Sequence, residues 1–573
     1  MWGRRNKSAR GAEINPDEIF LDSSNLPAYE AGRLEGRITR PIARRAFIPV
    51  VLILLIVFGG TLLRSGQLMV VEGASYRALS EENRLGYTRM PAERGVVYDR
   101  NGVQLAWNVP HVVAGEDTPY HERRYRQATG TGHTLGYVRM PGRDNNGVFF
   151  REGVEGVAGV ELAFDEVLRG VDGRKIVETD ARMDVVSEGW VERPQSGSTL
   201  SLTIDTRLNE ALHGFIAELA NDVPFRGGAG ILMDVQNGEI LALTSVPEYD
   251  PTVLIQGDAE RIAAYATDER TPYLNRVFAG QYTPGSIIKP FMATAALSEG
   301  IVDPSRRFLS TGALRLANPY HEGQYTSFTD WRAHGLVDLT RALAVSSNVY
   351  FYYIGGGFGE QEGLGITRIE EYMRLFGFGG PTGIALEGEA NGVVPSPAWK
   401  AETFPQDPDW RIGNTYHTSI GQYGFQVTPL QAVRGIGAIA NGGMLLTPRI
   451  ESEYTQYGAR DLGLAPEHVE AVRAGMRAAV LDGTARGLNV SYVNVAGKTG
   501  TAELGYEKEY VHSWAVGFYP YEDPKYAFAV LMERGPRSNL FGGVYVMRKF
   551  LDWMKNETPE YVLFDEVGEG SGS

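Results

Sequence analysis

Apolar residues run without a charge from Ala46 to Leu63, alternate in short segments to about residue 200, and then recur at helix or strand spacing. The first run is 18 residues, just long enough to span a bilayer as a helix. Arg33, Arg37, Arg40, Arg44 and Arg45 precede it, which places the N-terminus in the cytoplasm and the rest of the chain outside. No A-x-A cleavage site follows, so 46–63 reads as an uncleaved transmembrane anchor. Residues 1–45, polar and mixed in charge, read as a disordered cytoplasmic tail.

Beyond the anchor, the pattern predicts a helix over Leu68–Leu85, then short strands and turns in a mostly β region to residue 200, with one helix near Val160–Leu168. Leu208, Leu212, Phe215, Ile216 and Leu219 stand on one face of an amphipathic helix. Gly230–Val235 and Glu239–Ser245 flank Gln236-Asn237-Gly238, a hairpin signal. Residues 300–490 read as helical and loop-rich, with helices near 335–355, 367–377, 428–441 and 466–482. Three strands, Val493–Glu503, Val511–Tyr519 and Tyr526–Glu533, precede a terminal helix over Gly543–Lys555. The last strand is apolar from Tyr526 to Met532, the mark of a strand that is central or covered on both faces. Two early strands and three late ones make one antiparallel sheet covered by helices, an α+β fold over 201–556, and 557–573 reads as a mobile acidic tail.

Length supports at least two folded parts. A net charge of -15 argues against a nucleic-acid partner, and the absence of cysteine excludes disulfides, a thiol nucleophile and Cys-ligated zinc. No metal-ligand spacing appears among the nine histidines, and no cofactor is called for. More telling is the cation usage: nine lysines against 46 arginines. Arginine does not deprotonate in a protein, so a lysine where arginine is the habit marks a position that can need a base.

One such position follows the turn Thr283-Pro284-Gly285. Ser286 opens the apolar run Ile287, Ile288, Phe291, Met292, Ala293, and Lys289 stands one helical turn on, in the chain's only Ser-x-x-Lys. A lysine among apolar residues loses its proton readily, and a serine beside such a base is an activated nucleophile at a helix N-terminus that favours a developing anion. A capped structural helix with a snorkelling lysine is the competing reading. Two further motifs follow in order: Ser346-Ser347-Asn348 in a helical run over Leu343–Tyr353, and Lys498-Thr499-Gly500-Thr501 on a strand. Ser-x-Asn is weak alone, since Ser23-Ser24-Asn25 has the same form. Gly497-Lys498-Thr499 lacks the upstream glycine and strand-to-helix setting of a P-loop.

Together the three motifs match the set shared by class A β-lactamases and penicillin-binding proteins. The match implies Ser286 as nucleophile and Lys289 as its base. Ser346 would relay a proton to the leaving nitrogen, Asn348 would bind a peptide amide, and Lys498 would supply a fixed positive charge. Thr499 and Thr501 would bind a terminal carboxylate, Gly500 would leave room for substrate, and the backbone N–H groups of Ser286 and Thr501 would form the oxyanion hole.

The chain after residue 64 resembles the class B penicillin-binding proteins. Arg94–Gly102 and Gly153–Glu161 are similar to the family's pedestal motifs, and Gly392–Ser396, Ser419–Gln422 and Val427–Gln431 to later landmarks. Tyr416–Gln422 and His512-Ser513-Trp514 look like the elongation-type, penicillin-binding protein 2 group. The resemblance implies a pedestal (dimerisation-type) domain over 64–200 and a five-stranded transpeptidase domain with an all-helical subdomain. It also implies a DD-transpeptidase of the bacterial inner membrane that cross-links peptidoglycan stem peptides, is acylated by β-lactams, and partners a SEDS-family glycan polymerase. Three departures stand out. Tyr423 replaces a glycine, Asn414 stands where Asp is common, and only 51 residues separate Asn101 from Gly153, a reduced head.

Hydrolysis, by a DD-carboxypeptidase or β-lactamase, is the enzymatic alternative, and an idle penicillin-binding scaffold or sensor the non-enzymatic one. No Glu-x-x-Leu-Asn follows Ser-x-Asn as a class A β-lactamase requires, and 64–200 is too short for a glycosyltransferase. A sensor would need a cytoplasmic domain that 45 residues do not supply. His512 and His417 read as packed histidines, and Glu389 and Glu503 as structural or solvated.

Overall fold

The computed structural model describes residues 45, 47–77, 85–113, 116–143, 149–151, 153–179, 185–318, 321–453, 458–505 and 507–564. The expected N-terminal tail up to residue 44, the stretch 78–84 of the expected helix Leu68–Leu85, and 565–573 of the acidic tail lie outside them.

Helix α1 spans Phe47–Gly66 and runs on through one π turn, Gln67–Val71. Its apolar side chains are exposed along its length, and it is long and apolar enough to cross a membrane. It outlasts the expected end at Leu63, because an arginine at position 64 does not break a helix and its long side chain can reach out to polar surroundings.

In the region after the anchor, strands β1 (Val97–Tyr98), β2 (Gln104–Val113) and β3 (Glu116–Tyr125) are joined by β4 (Leu200–Ser201), which pairs parallel with β1. The two pedestal motifs meet here. Glu161, fully buried, receives Arg94 Nε at 2.6 Å and Arg123 Nε at 2.7 Å, while Arg94 Nη1 reaches Asp165 at 2.7 Å. A buried carboxylate between two guanidiniums is tolerated because each charge has a partner. Asp99, from the same motif, accepts from the N–H groups of Asn101 and Val103 and, through its other oxygen, from the Thr206 hydroxyl. The expected helix Val160–Leu168 is two short turns, Gly159–Ala163 and Asp165–Leu168, broken at Phe164.

Asp205 then caps helix α2 (Thr206–Asp222), its carboxylate accepting from the Arg207 N–H. Strands β5 (Gly227–Asp234) and β6 (Ile240–Val246) form the expected hairpin, with Gly238 at φ +77°. Helix α3 (Lys289–Ser298) follows, then α4 (Leu339–Val345), α5 (Asn348–Gly356), α6 (Gly365–Leu375), α7 (Pro429–Ala440) and α8 (Pro466–Asp482). Strands β7 (Ala496–Leu504), β8 (Tyr510–Tyr519) and β9 (Tyr526–Pro536) close the sheet, and α9 (Gly543–Glu557) ends it. The sheet order is β6-β5-β9-β8-β7, antiparallel throughout.

β9 sits at the centre, and its period-2 alternation divides it between two cores. Ala527, Ala529 and Leu531 pack in the same core as Leu430, Val433 and Ile436 of α7. Phe528, Val530 and Met532 pack in a second core with Leu212 and Ile216 of α2 and Phe550 and Met554 of α9. That is why the strand has no polar face.

Two expectations need correction. The subdomain over 300–490 is not all helical: Phe308–Ser310 pairs with Gly335–Val337, Ala313–Ala317 with Tyr325–Thr329, and Met444–Leu446 with Ala459–Asp461. These strands of three to five residues are too short to announce a period. The tail is not free from 557 onward either. Tyr561 and Val562 are buried in the second core, and the Tyr561 hydroxyl donates to Asp205 at 3.0 Å. The acidic composition of the segment hides an apolar Tyr-Val-Leu-Phe run.

Candidate active site

Ser286 lies in a 3-10 turn, Gly285–Ile288, that leads directly into α3, with Pro290 in the first helical turn. The turn is held from three sides. The Gly285 N–H donates to the Gly421 carbonyl (3.0 Å), Tyr282 and Val427 exchange two backbone bonds at 2.9 Å, and Trp514 Nε1 donates to the Thr283 carbonyl (3.0 Å). The landmarks around Gly421 and Val427 therefore fasten the serine turn. Gly285 has φ +55°, and a Cβ there would stand 2.9 Å from the Thr501 carbonyl oxygen, so turn and strand edge meet backbone to backbone.

Lys289 is completely buried. Its Nζ donates to Asn348 Oδ1 (2.7 Å) and the Ser346 carbonyl (2.9 Å), and lies 3.3 Å from Ser346 Oγ. Lys498, equally buried, reaches the same Ser346 Oγ at 2.8 Å from β7. Ser346 thus stands between two amines. Among the described residues the Ser286 hydroxyl, half-exposed, has no hydrogen bond.

Ser346 owes this position to a break that its sequence did not reveal. The expected continuous helix through Leu343–Tyr353 is instead α4 and α5, joined where Ser346 takes the left-handed conformation (φ 57°, ψ 41°). A serine there is strained by about 1–3 kcal/mol, and the surroundings that hold it are identifiable. Ser347 caps α5 and donates its hydroxyl to Asp330 Oδ2 (2.8 Å); the same oxygen accepts from the Val349 N–H (3.0 Å). Trp331 Nε1 donates to the Val345 carbonyl (3.1 Å). Asp330, its side chain wholly buried, is a residue that sequence reasoning missed. A lone Asp in a loop carries no motif.

Burial sets the electrostatics. It lowers the Lys289 amine from its ordinary value to about 7, with the Asp330 carboxylate opposing the shift. Lys498 is lowered as well, first by burial and then by the neighbouring Lys289 charge. Burial first, and the Lys289 charge second, therefore both work against the expected fixed charge at Lys498. Burial also brings the buried His512 down to about 4; its Nδ1 accepts from the Arg534 N–H (3.2 Å) and its ring meets Tyr282 edge-on, a packed histidine. His417 packs on Phe328, Glu389 accepts from the Thr382 N–H, and Glu503 pairs with Lys508 and Arg537.

On the edge strand β7 the alternation turns Lys498 and Gly500 inward, leaves Thr499 part-buried and exposes Thr501. Thr499 Oγ1 shares a 2.6 Å hydrogen bond with Thr484, a second residue without a sequence signal. The expected role of Gly500 is corrected. A Cβ there would come within 2.7 Å of Ile287 Cγ2 and 2.8 Å of the Pro284 carbonyl oxygen, so the missing side chain admits the serine turn, not the substrate. Tyr423 accepts φ 61° where glycine would be unstrained, and packs on Trp399 and Trp410. Asn414 caps its own helix by accepting from the Arg411 N–H (2.8 Å).

Residues 228–554 match the family model described as the penicillin binding protein transpeptidase domain, and 116–202 that of the penicillin-binding protein dimerisation domain. The chain belongs to the penicillin-binding protein transpeptidase family. This penicillin-binding protein is 28% identical to the peptidoglycan D,D-transpeptidase MrdA of Acinetobacter baumannii, over 82% of either chain. Its fold is similar to that of the penicillin-binding protein PBP2 of Helicobacter pylori, solved with MreC (TM-score 0.69, 26% identity, 83% of this chain and 100% of that one). A similar likeness holds to a chain in a peptidoglycan synthase complex that coordinates polymerization and crosslinking (TM-score 0.67, 26% identity, 89% and 97%).

Two expected outcomes follow for this penicillin-binding protein. Gly500→Ala drives a methyl into the serine turn, and acylation by penicillin falls by about 10²-fold, as a displacement near 1 Å does. Stopped-flow acylation beside a thermal melt checks it, and an unchanged rate refutes the contact. Asp330→Asn removes the anion that favours protonated Lys289, so the acid-side midpoint of acylation against pH moves down. A midpoint that stays put while the rate falls would leave Asp330 a purely structural acceptor.

Proposed function

We propose that this protein is an elongation-type D,D-transpeptidase that cross-links peptidoglycan stem peptides through a serine acyl-enzyme. The observation that carries the reading is Ser346 Oγ held between two buried lysine amines, 2.8 and 3.3 Å away, beside the turn that presents Ser286. Neutral Lys289 takes the Ser286 proton as the serine oxygen adds to the carbonyl of the terminal amide. The backbone N–H groups of Ser286 and Thr501 receive the oxyanion. Ser346 hands a proton to the departing amine and is reprotonated from Lys289, 3.3 Å away; the C–N bond breaks, the terminal residue departs as a free amine, and the acyl group remains as an ester on Ser286. An acceptor amine then adds to the ester and gives up a proton through Ser346 to Lys289, the C–O bond breaks, and Lys289 returns that proton to the serine oxygen. Asn348 orients a peptide amide. The Thr499 and Thr501 hydroxyls take the terminal carboxylate, whose negative charge also favours a protonated Lys498. β-Lactams acylate the same serine.

The basic flank ahead of α1 supports a cytoplasmic N-terminus and a catalytic domain outside the inner membrane. A fully exposed apolar helix, together with a relative in a complex that couples polymerization to crosslinking, supports a SEDS-family polymerase as partner in the bilayer. Incubating the full chain in detergent with a stem pentapeptide and an amine acceptor, and weighing the products, tests the reading. Amide-linked dimer is expected, and trimmed tetrapeptide alone would make the enzyme a carboxypeptidase.

A further inference from the structure

On the helical subdomain, apart from Ser286 and its partners, a cavity of about 450 Å³ opens between the end of α6, the middle of α7 and the paired strands Met444–Leu446 and Ala459–Asp461. Three guanidinium groups line it, from Arg374, Arg434 and Arg460, in a chain whose net charge is -15. Their pairing is uneven. Arg374 is neutralised by Glu370 at 2.9 Å. Arg434, half-buried, donates its Nε to the Leu446 carbonyl (2.7 Å), and Arg460 donates to the Leu375 carbonyl. Among the described residues neither Arg434 nor Arg460 forms an ion pair with a carboxylate. Glu389 acts on Arg434 from a distance, and its own oxygen is engaged by the Thr382 N–H.

The facing wall is the turn Gly377–Gly380, with φ +88° at Gly377 and +75° at Gly379. A Cβ on Gly377 would stand 3.0 Å from Arg434 Nη1, and one on Gly379 would stand 3.2 Å from Arg374 Nη1. Bare backbone therefore lies against the guanidinium ends and leaves the space beside them open. Arg434, half-buried and without an acidic partner, keeps part of its charge out of water and uncompensated. Burial and the Arg460 charge accordingly hold Arg434 down at about 10.

We propose that this arginine-lined cavity is an oxyanion-binding site, distinct from the catalytic centre, that takes a forked phosphate or carboxylate group between Arg434 and Arg460. The planar fork of a guanidinium matches two oxygens of one such group, which a lysine would not.

The full chain in detergent is titrated calorimetrically with inorganic phosphate in one arm and with a muramyl tripeptide, rich in free carboxylates, in the other. Chloride at matched ionic strength is the blank. Saturable binding in either arm is expected, and the arm that binds names the group. Arg434→Gln is expected to weaken that binding at least tenfold, about 1.4 kcal/mol. Arg460→Gln, at an exposed position, repeats the test should the first variant fold poorly, and penicillin labelling of Ser286 reports that either variant is folded. No binding in either arm, or binding that both variants leave unchanged, overturns the site.

Discussion

Ser286→Ala abolishes covalent labelling by a fluorescent penicillin while leaving the fold intact. Both halves of that outcome come from the same observation. Among the described residues the Ser286 hydroxyl has no hydrogen-bond partner, so deleting it strands no buried donor or acceptor, and the change in stability stays within about 0.5 kcal/mol. No neighbour takes its place. Ser346 is fixed between two lysines with its backbone in a strained conformation, and Ser347 is spent on Asp330. With Thr499, Thr501 and Asn348 in their proposed binding roles, reversible binding is expected to persist. Labelling is read on a denaturing gel and melting by scanning fluorimetry. Undiminished labelling removes Ser286 as nucleophile, and lost labelling with a lost fold leaves the assignment to a Ser286→Cys variant.

The sheet was legible because its strands obey simple periods: a hairpin marked by Asn237-Gly238, and a late apolar strand that had to be central or covered on both faces. The buried lysines were legible because their neighbours are apolar and because arginine is the habitual cation elsewhere. What escaped notice was tertiary. The break at Ser346 depends on Asp330, 16 residues upstream and on another element, and no local propensity calls for a left-handed serine. Gly500 reads as an open strand edge until the serine turn is seen packed against it. Lys498 reads as a fixed charge until it is found buried with Lys289 on the same hydroxyl, since burial and a neighbouring cation both disfavour its charged form. Tyr561 and Val562 were lost in an acidic tail for the same reason: composition averages over residues that pack individually.

Lys289→Arg is expected to reduce acylation by about 10²- to 10⁴-fold, the usual worth of a positioned base. The substitution keeps a positive charge but can never release it, whereas Lys289, lowered to about 7 by burial, is substantially neutral at physiological pH. For the native enzyme the sign is definite. With Lys289 as the proposed base, a depressed amine pKa leaves it protonated and idle below about pH 7 and free above it, so the acylation rate is expected to rise through that region and level off. In the arginine variant that limb disappears, leaving a low and flat profile. A permanent cation beside Lys498 also pushes that amine further toward neutrality, which weakens its hold on a substrate carboxylate and raises KM as kcat falls. The volume of a guanidinium in a fully buried site adds a melting penalty of about 1–3 kcal/mol, read separately by calorimetry. Acylation that survives in the arginine variant with its native pH profile would reduce Lys289 to an electrostatic guide and move the base to Lys498.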